Sequence, residues 1–271
     1  MAGGVSSRMK RSLDTAQISS KTKNIALSVH KSLIPLGKSG KPLLYYLLKN
    51  AKAAGYEKIF IITSSENEAF QAFLKNYNLF GLHVLFAIQH LTKGFEKPLG
   101  TADALTQAME QFPELKKNTF TICNGDNLYS VNALSILRKP RKEPHALISF
   151  DRSGLEFSND RISKFAVLSF NKADQLENII EKPTPDEVEH CRDSKGKIRV
   201  SMNCFSFFGA SIFSYVKECP IHPQRQEKEL PQAVLNFVKE NPNQLLAIPV
   251  SEHLPDLTAA NDIHDFHHFK D

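Results

Sequence analysis

The chain alternates short apolar runs with segments in which apolar residues recur every three or four positions. Runs rich in β-branched residues and phenylalanine occupy residues 58–63, 83–89, 119–123, 145–150, 165–170, 176–180, 200–208 and 244–250. Their length and composition predict strands. Between them, Leu44, Leu47, Leu48 and Ala51 share a helical face, as do Ala102, Leu105, Ala108 and Met109. The clearest predicted helix is 229–239, where Leu230, Ala233, Val234, Phe237 and Val238 fall at helical spacing. Strands interleaved with helices imply β-α-β units and a three-layer α/β/α fold around a mostly parallel, mixed sheet. Such sheets bind ligands at the carboxyl ends of their strands. Asn124-Gly125-Asp126-Asn127 and Glu181-Lys182-Pro183 each follow a predicted strand, and Asp256 lies a few residues past another.

Two polar stretches interrupt this alternation. Residues 10–24, rich in Ser, Thr and Lys, are long for a loop, which predicts a flap or a disordered segment. Residues 186–197 are charged and predict a solvated helix with its following turn. His264, His267 and His268 lack carboxylate or cysteine partners at ligand spacing, so they read as an exposed terminal helix rather than a metal cluster.

Composition narrows the function classes. With 271 residues, 41% hydrophobic and 23% charged, the chain is globular and long enough for one large domain. No apolar run approaches the roughly 18 residues of a membrane span, and no charged-then-apolar leader is visible. Cys123, Cys191, Cys204 and Cys219 form no C-x-x-C pair, which predicts free buried thiols in a reducing cytoplasm. The net charge of +5 is spread along the chain apart from residues 10–31 and 138–142. A nucleic-acid binder would carry a denser stripe interleaved with aromatics. Neither nucleic acid nor membrane is therefore expected as a partner.

The candidate chemistry begins at Ala2-Gly3-Gly4-Val5-Ser6-Ser7-Arg8. Glycines let a backbone approach an anion closely, serines donate hydrogen bonds, and arginine adds a forked charged donor. Such a loop cradles phosphates, although a flexible terminus would read the same way. It has neither P-loop nor dinucleotide-fingerprint spacing. What changes the picture is the order of the segments that follow: Lys31-Ser32-Leu33-Ile34-Pro35, Gly40-Lys41-Pro42-Leu43-Leu44, Gly55, Gln89, Gly100-Thr101-Ala102-Asp103-Ala104-Leu105, Gly125-Asp126 and Glu181-Lys182-Pro183.

This order, from Ala2 to about Ile263, resembles the sugar-1-phosphate nucleotidyltransferases, or NDP-sugar pyrophosphorylases. In that family a sugar-phosphate oxygen attacks the α-phosphorus of a nucleoside triphosphate and pyrophosphate leaves. Positioning and charge neutralisation then carry the catalysis, and no covalent nucleophile is needed. The resemblance implies a Rossmann-like nucleotide-diphospho-sugar transferase fold. It implies that Ala2, Gly3, Gly4, Ser6, Ser7 and Arg8 hold the triphosphate, with Arg8, Lys31 and Lys182 as the catalytic cations. Gln89, Gly100 and Thr101 would read the base, and Thr101 would alternatively cap the helix that follows it. Asp126 and Asp256 would hold Mg²⁺, a cation that favours one or two carboxylates plus phosphate oxygens. Glu181, Lys182 and Asn203 would bind the sugar phosphate, and Arg225, in a polar run before the last clear helix, is a candidate for substrate selection.

The family's D-x-G-T-P-x-D ending is matched by Asp256-Leu257-Thr258-Ala259-Ala260-Asn261-Asp262, with Thr258 and Ala259 replacing Gly and Thr. A single domain is expected over 1–271, with 1–130 mainly for the nucleotide and 131–271 mainly for the sugar phosphate. The expected substrates are an NTP, with UTP or dTTP favoured, and a sugar 1-phosphate. Transfer to a phosphoalcohol or molybdopterin acceptor, or a non-catalytic nucleotidyltransferase-like regulatory subunit, are the rival readings. The residues do not fix base, sugar or oligomeric state, a homo-oligomer included. The family leads into its phosphate loop with a buried strand, whereas only Met1 and Ala2 precede Gly3 here. The first strand therefore reads as truncated, and a form extended upstream is expected to be the active one.

Overall fold

The computed structural model describes Met1, Ala2, Gly4 and residues 6–266. In chain order the helices are α1 (Ser7–Ser12), α2 (Ser20–Ser28), α3 (Leu43–Ala53), α4 (Glu68–Asn76), α5 (Thr101–Gln111), α6 (Glu114–Lys117), α7 (Val131–Arg138), α8 (Asn159–Ile162), α9 (Pro185–His190), α10 (Gly209–Lys217) and α11 (Leu230–Glu240). The strands are β1 (Pro35–Leu36), β2 (Lys41–Pro42), β3 (Lys58–Thr63), β4 (His83–Ile88), β5 (Thr119–Ile122), β6 (His145–Asp151), β7 (Val167–Phe170), β8 (Leu176–Ile180), β9 (Arg199–Phe208) and β10 (Leu245–Val250). Each apolar run thus forms the strand it predicts, within two residues at either end. Asp151, one residue past the run at 145–150, stays buried as the last residue of β6.

The chain divides into two compact units. The first comprises 1–90, 124–134 and the segment from 254 onward, and the second comprises 91–123 and 135–253. In the first, β3 and β4 pair in parallel, and α3 and α4 supply Leu44, Leu48, Phe70 and Phe73 to a core shared with Ala2, Leu33, Ile61 and Leu82. In the second, the order is β10-β6-β9-β7-β8, with β5 also on β9. The fold class is α/β with a mixed sheet, and the mixture of directions is wide. Only β10–β6 is parallel in this sheet, while β9 meets β5, β6 and β7 antiparallel. The short link 171–175 explains part of this, because a parallel β7–β8 pair would need a crossover of a dozen residues or so.

Residues 10–24 differ from the expected flap or disordered loop: 10–12 end α1, 20–24 begin α2, and 13–19 form the link between them. Met9, Leu13, Ala16 and Ala26 are buried and anchor an otherwise polar stretch. Ser19 caps α2, its hydroxyl accepting from the Thr22 amide at 3.1 Å. The charged stretch 186–197 does begin as a helix, α9, closed by a reciprocal capping box between Thr184 and Glu187. His264 is exposed, whereas His267 and His268 lie outside the described residues. Among the described residues, no helix is long and apolar enough to cross a membrane. None of the four cysteines is in a disulfide; Cys191, Cys204 and Cys219 are buried and Cys123 is partly exposed.

His145 shows how tightly the second unit is packed. Its ring is fully buried between Phe207 and Phe237, with centroids 5.8 and 4.4 Å away. Ser211 donates to the Phe208 carbonyl, so His145 Nε2–H must donate to Ser211 Oγ at 2.8 Å, leaving Nδ1 a buried acceptor without a partner. Burial, aided by the Arg141 charge, lowers the His145 pKa from 6.5 to about 4. A depressed histidine pKa means that the unfolded chain takes up a proton the folded state refuses. Stability from this residue is therefore full above pH 6.5 and falls as pH drops towards 4, by on the order of 3 kcal/mol. Urea unfolding across pH 7 to 4 should show a steeper loss of stability for the native chain than for His145→Gln. Equal slopes would mean that His145 is not buried neutral.

Candidate functional site

The N-terminal segment is held by backbone bonds rather than by a full strand. The Ala2 amide donates to the Ile62 carbonyl at 2.8 Å, beside β3, and the Gly125 amide donates to the Met1 carbonyl at 2.8 Å. A Cβ on Gly125 would meet that carbonyl at 2.9 Å, so only glycine permits the approach. Ala2 is buried in the core, so only its backbone is available to a ligand. Gly3 lies outside the described residues. Gly4 is exposed, and Ser6 adopts a left-handed conformation (φ 54°) immediately before α1. Ser7 and Arg8 are exposed in the first turn of α1. The Ser6 hydroxyl accepts from the Lys31 amide at 3.3 Å, which ties the loop to the predicted catalytic lysine.

Lys31 opens a short 3-10 turn and its ammonium pairs with the Asp126 carboxylate, both side chains being mostly buried. An ion pair this far from water survives only because each charge neutralises the other; removing one partner leaves an uncompensated charge. His30 sits alongside, its Nδ1 2.8 Å from Ser32 Oγ. Burial lowers its pKa to about 4, against the pull of Asp126 and with the help of Lys31. His30 is therefore neutral at pH 7 and adds no charge to the pair.

Asp126 is positioned by a second pairing. The Leu257 amide donates to the Asp126 carbonyl at 2.8 Å, the Leu128 amide donates to the Pro255 carbonyl at 2.9 Å, and Asn127 stands opposite Asp256. Asn127 and Asp256 stand across from one another in this pairing, and the neighbouring Asp126 side chain pairs with Lys31. Asn127 is buried, and its Nδ2 has no partner among the described residues. The Thr258 hydroxyl lies 2.9 Å from both oxygens of Asp256. Asp262 accepts from the Thr258 and Ala259 amides at 2.8 and 2.6 Å. Thr258, where the resemblance expects glycine, thus holds the Asp256 carboxylate, and Asp262 fixes the backbone around it. Neither role is visible in the spacing of the motif. The donor chemistry suits a hard divalent cation: two carboxylates on neighbouring segments, with phosphate oxygens to complete the set. Among the described residues, no group of three or more His, Cys, Asp or Glu could hold a metal by itself.

Gln89, also in the first unit, is buried at the end of β4, its amide donating to the Thr63 carbonyl at 2.7 Å. In the second unit, Gly100 has φ 96°, and a Cβ there would meet the Lys228 carbonyl at 2.7 Å. Thr101 does not cap the helix it begins. Its hydroxyl instead accepts from the Leu230 amide at 2.9 Å, capping α11. The reason is that 99–102 pairs with 228–230, through Lys228 N to Leu99 O and Ala102 N to Lys228 O.

The second unit also brings together residues far apart in the chain. Arg225 forks between Glu181, at 3.1 Å through Nη2, and Glu229, through Nη1. Lys97 donates to the Arg225 carbonyl and to Glu227, both at 2.8 Å, fastening the loop that carries Arg225. Glu229 and Lys97 were not singled out by the sequence; the density of polar groups before α11 hinted at Glu229, and nothing pointed to Lys97. Lys182 is exposed and held at φ 50°, a conformation non-glycine residues rarely adopt outside special sites. Asn203, with φ 54°, lies inside β9 where its register with β6 shifts. A bulge of this kind re-aims a side chain within a strand paired on both edges.

Comparison with known proteins fits this arrangement. The family model described as Nucleotidyl transferase matches residues 20–250. The chain is similar to the bifunctional protein GlmU of Staphylococcus haemolyticus, with 23% identity over 75% of this chain and 40% of that protein. It is also similar to the glucose-1-phosphate thymidylyltransferase of Neisseria meningitidis, with 27% identity over 59% of this chain and 50% of that protein. The chain thus spans half or less of the length of these relatives. A crystal structure of UDP-glucose pyrophosphorylase with UDP-glucose superimposes with a TM-score of 0.68 at 14% identity, covering 98% of this chain and 94% of that one. That likeness establishes the fold, and the matched segment, which takes in Lys31, Gln89, Asp126 and Glu181-Lys182, establishes the rest: the chain belongs to the Nucleotidyl transferase family.

Proposed function

We propose that the chain is a Mg²⁺-dependent nucleotidyltransferase that transfers a nucleoside monophosphate from an NTP to a sugar 1-phosphate, releasing pyrophosphate. The observation that carries this reading is the Lys31–Asp126 pair, fastened to the N-terminal loop by Ser6 and to the Asp256 segment by backbone bonds. The reaction gathers many negative charges, and a mostly buried cation and carboxylate in fixed positions meet that need. In this reading Arg8, Lys31 and the amides of Gly3, Gly4, Ser6 and Ser7 neutralise and orient the triphosphate, while Ala2, its amide taken by the Ile62 carbonyl, anchors the start of the loop. Asp126 and Asp256 would hold Mg²⁺, which when bound supplies further neutralisation of the phosphate oxygens. Lys182 and Arg225 bind the acceptor phosphate, and Glu181 and Asn203 accept from or donate to sugar hydroxyls.

Gln89, Gly100 and Thr101 are assigned to the base. UTP or dTTP is favoured, in keeping with the thymidylyltransferase relative and the UDP-glucose-bound structure. The Arg225–Glu181 contact makes the sugar reading preferable to a phosphoalcohol or molybdopterin acceptor. Arg225 is poised to be shared between a carboxylate that recognises hydroxyls and an incoming phosphate.

Purified protein with Mg²⁺ should release pyrophosphate from UTP or dTTP only when a sugar 1-phosphate is present. A panel of NTPs and sugar 1-phosphates that yields none, while nucleotide still binds, would replace this reading with that of a non-catalytic regulatory subunit. Asp126→Asn and Lys31→Ala should each lower kcat/KM by about 10²–10³ with the fold intact by circular dichroism. Arg225→Ala should raise KM for the sugar phosphate by about tenfold or more, one lost charge-assisted contact, with little change in KM for the NTP. If the two KM values shift together, Arg225 belongs to the scaffold rather than to the acceptor site.

A further inference from the structure

Two of the four thiols lie at the end of one ladder: Cys123 directly follows β5 and Cys204 lies within β9. In the β5–β9 ladder Thr119 opposes Phe208 and Ile122, the last paired residue of β5, opposes Phe205; the same register carried one step past the end of the ladder sets Cys123 opposite Cys204. The Gly209 amide donates to the Asn118 carbonyl at 3.1 Å, which marks that pair, one step before Thr119–Phe208, as hydrogen-bonded. Antiparallel pairs alternate between bonded and non-bonded, which makes Ile122–Phe205 bonded and Cys123–Cys204 non-bonded. Side chains of directly opposed residues share a face, and non-bonded pairs bring their Cα atoms to about 4.5 Å. That falls inside the range of about 4.4–6.8 Å spanned by disulfides. The two thiols also interact: burial, with the Cys123 charge adding to it, pushes the Cys204 thiol well above its ordinary value. Their exposures differ usefully, since Cys123 is partly exposed and Cys204 is buried.

We propose that Cys123 and Cys204 form a cross-strand dithiol that peroxide oxidises to an intramolecular disulfide, a modification site distinct from the phosphate and sugar residues. The Cys123 thiolate, the more accessible of the two, attacks a peroxide oxygen. The O–O bond breaks, a sulfenic acid forms, and hydroxide leaves to become water on protonation. The Cys204 sulfur then attacks the sulfenic sulfur. The S–S bond forms, the S–O bond breaks, and a second water carries away the Cys204 proton. The two thiols give up two electrons and hydrogen peroxide is reduced to two waters; a dithiol reductant reverses the exchange. Cys191 and Cys219 have no place in this step. The bridge would fix the point where the chain leaves β5, immediately before Asn124-Gly125-Asp126, and would stand next to Asn203 on β9. It would also close a long loop and thereby constrain the unfolded chain.

The test treats the full folded chain with hydrogen peroxide, blocks the remaining thiols, and maps tryptic peptides under non-reducing conditions. A linked pair containing Cys123 and Cys204 is expected. It should be lost after dithiothreitol, retained in a Cys191→Ser, Cys219→Ser double variant and absent in Cys123→Ser. The oxidised wild type should melt several degrees above the reduced form. A Cys123 that stops at sulfenic or sulfinic acid, or that bridges to a second chain or to Cys191 or Cys219, overturns the proposal. The wild-type peptide map decides it even if a variant fails to fold.

Discussion

The candidate site depends on one interaction, the mostly buried pairing of Lys31 with Asp126. Each partner is placed by a different part of the first unit. Lys31 is fixed by its short turn and by the Ser6 hydroxyl on its amide, and Asp126 by the bonds of its segment to Pro255 and Leu257. The chain start, the 124–134 segment and the segment after 254 are remote in sequence, yet each contributes a bond within a few residues of this pair. Each side chain is mostly shielded from water, so breaking the pair leaves a poorly solvated charge without its partner. A neutral His30 beside it keeps the balance at one positive and one negative charge.

Around that pair the support is backbone geometry more than side-chain bulk. The Ala2 amide bonds to the Ile62 carbonyl and the Met1 carbonyl accepts from the Gly125 amide, an approach that only glycine at 125 allows. Asp256 is held by the Thr258 hydroxyl, and the turn that follows is held by Asp262. A threonine in a place where glycine was expected is therefore compatible with the carboxylate, because it adds a donor rather than a clash. In the second unit the same economy appears in reverse. There Arg225, Glu181, Glu229 and Lys97 form a charged set whose members are far apart in sequence and are joined by long side chains.

Much of the fold was legible because strands such as 58–63 and 83–88 contain continuous apolar runs, 59–62 and 84–88, a signal that survives without any tertiary information. Strand direction was not legible, since a run of Val, Ile and Phe reads alike in parallel and antiparallel neighbours. The helices α1 and α2 were missed because their buried anchors, Met9 and Ala26, with Leu13 and Ala16 in the link between them, are diluted among Ser, Thr and Lys. Within the site, residues that sit in contiguous motifs, Lys31, Asp126 and Glu181-Lys182, could be picked from order and spacing. Those that act through tertiary placement could not be. Thr101 caps a helix that begins well over a hundred residues later, and Asn127 lies opposite Asp256 only because two distant segments pair.

The central claim is that Asp126 and Asp256 act together on one cation in the presence of a triphosphate. Mn²⁺ binding followed by electron paramagnetic resonance, with UTP added, addresses it directly. The account predicts that Asp126→Ala and Asp256→Ala each weaken nucleotide-dependent Mn²⁺ binding by at least about tenfold, as loss of a ligand or of its immediate support does. It also predicts that Asp262→Ala, which loosens the turn beside Asp256, has a smaller effect. Full Mn²⁺ affinity in Asp256→Ala would contradict it, leaving Asp126 a lysine-paired structural carboxylate rather than half of a metal site.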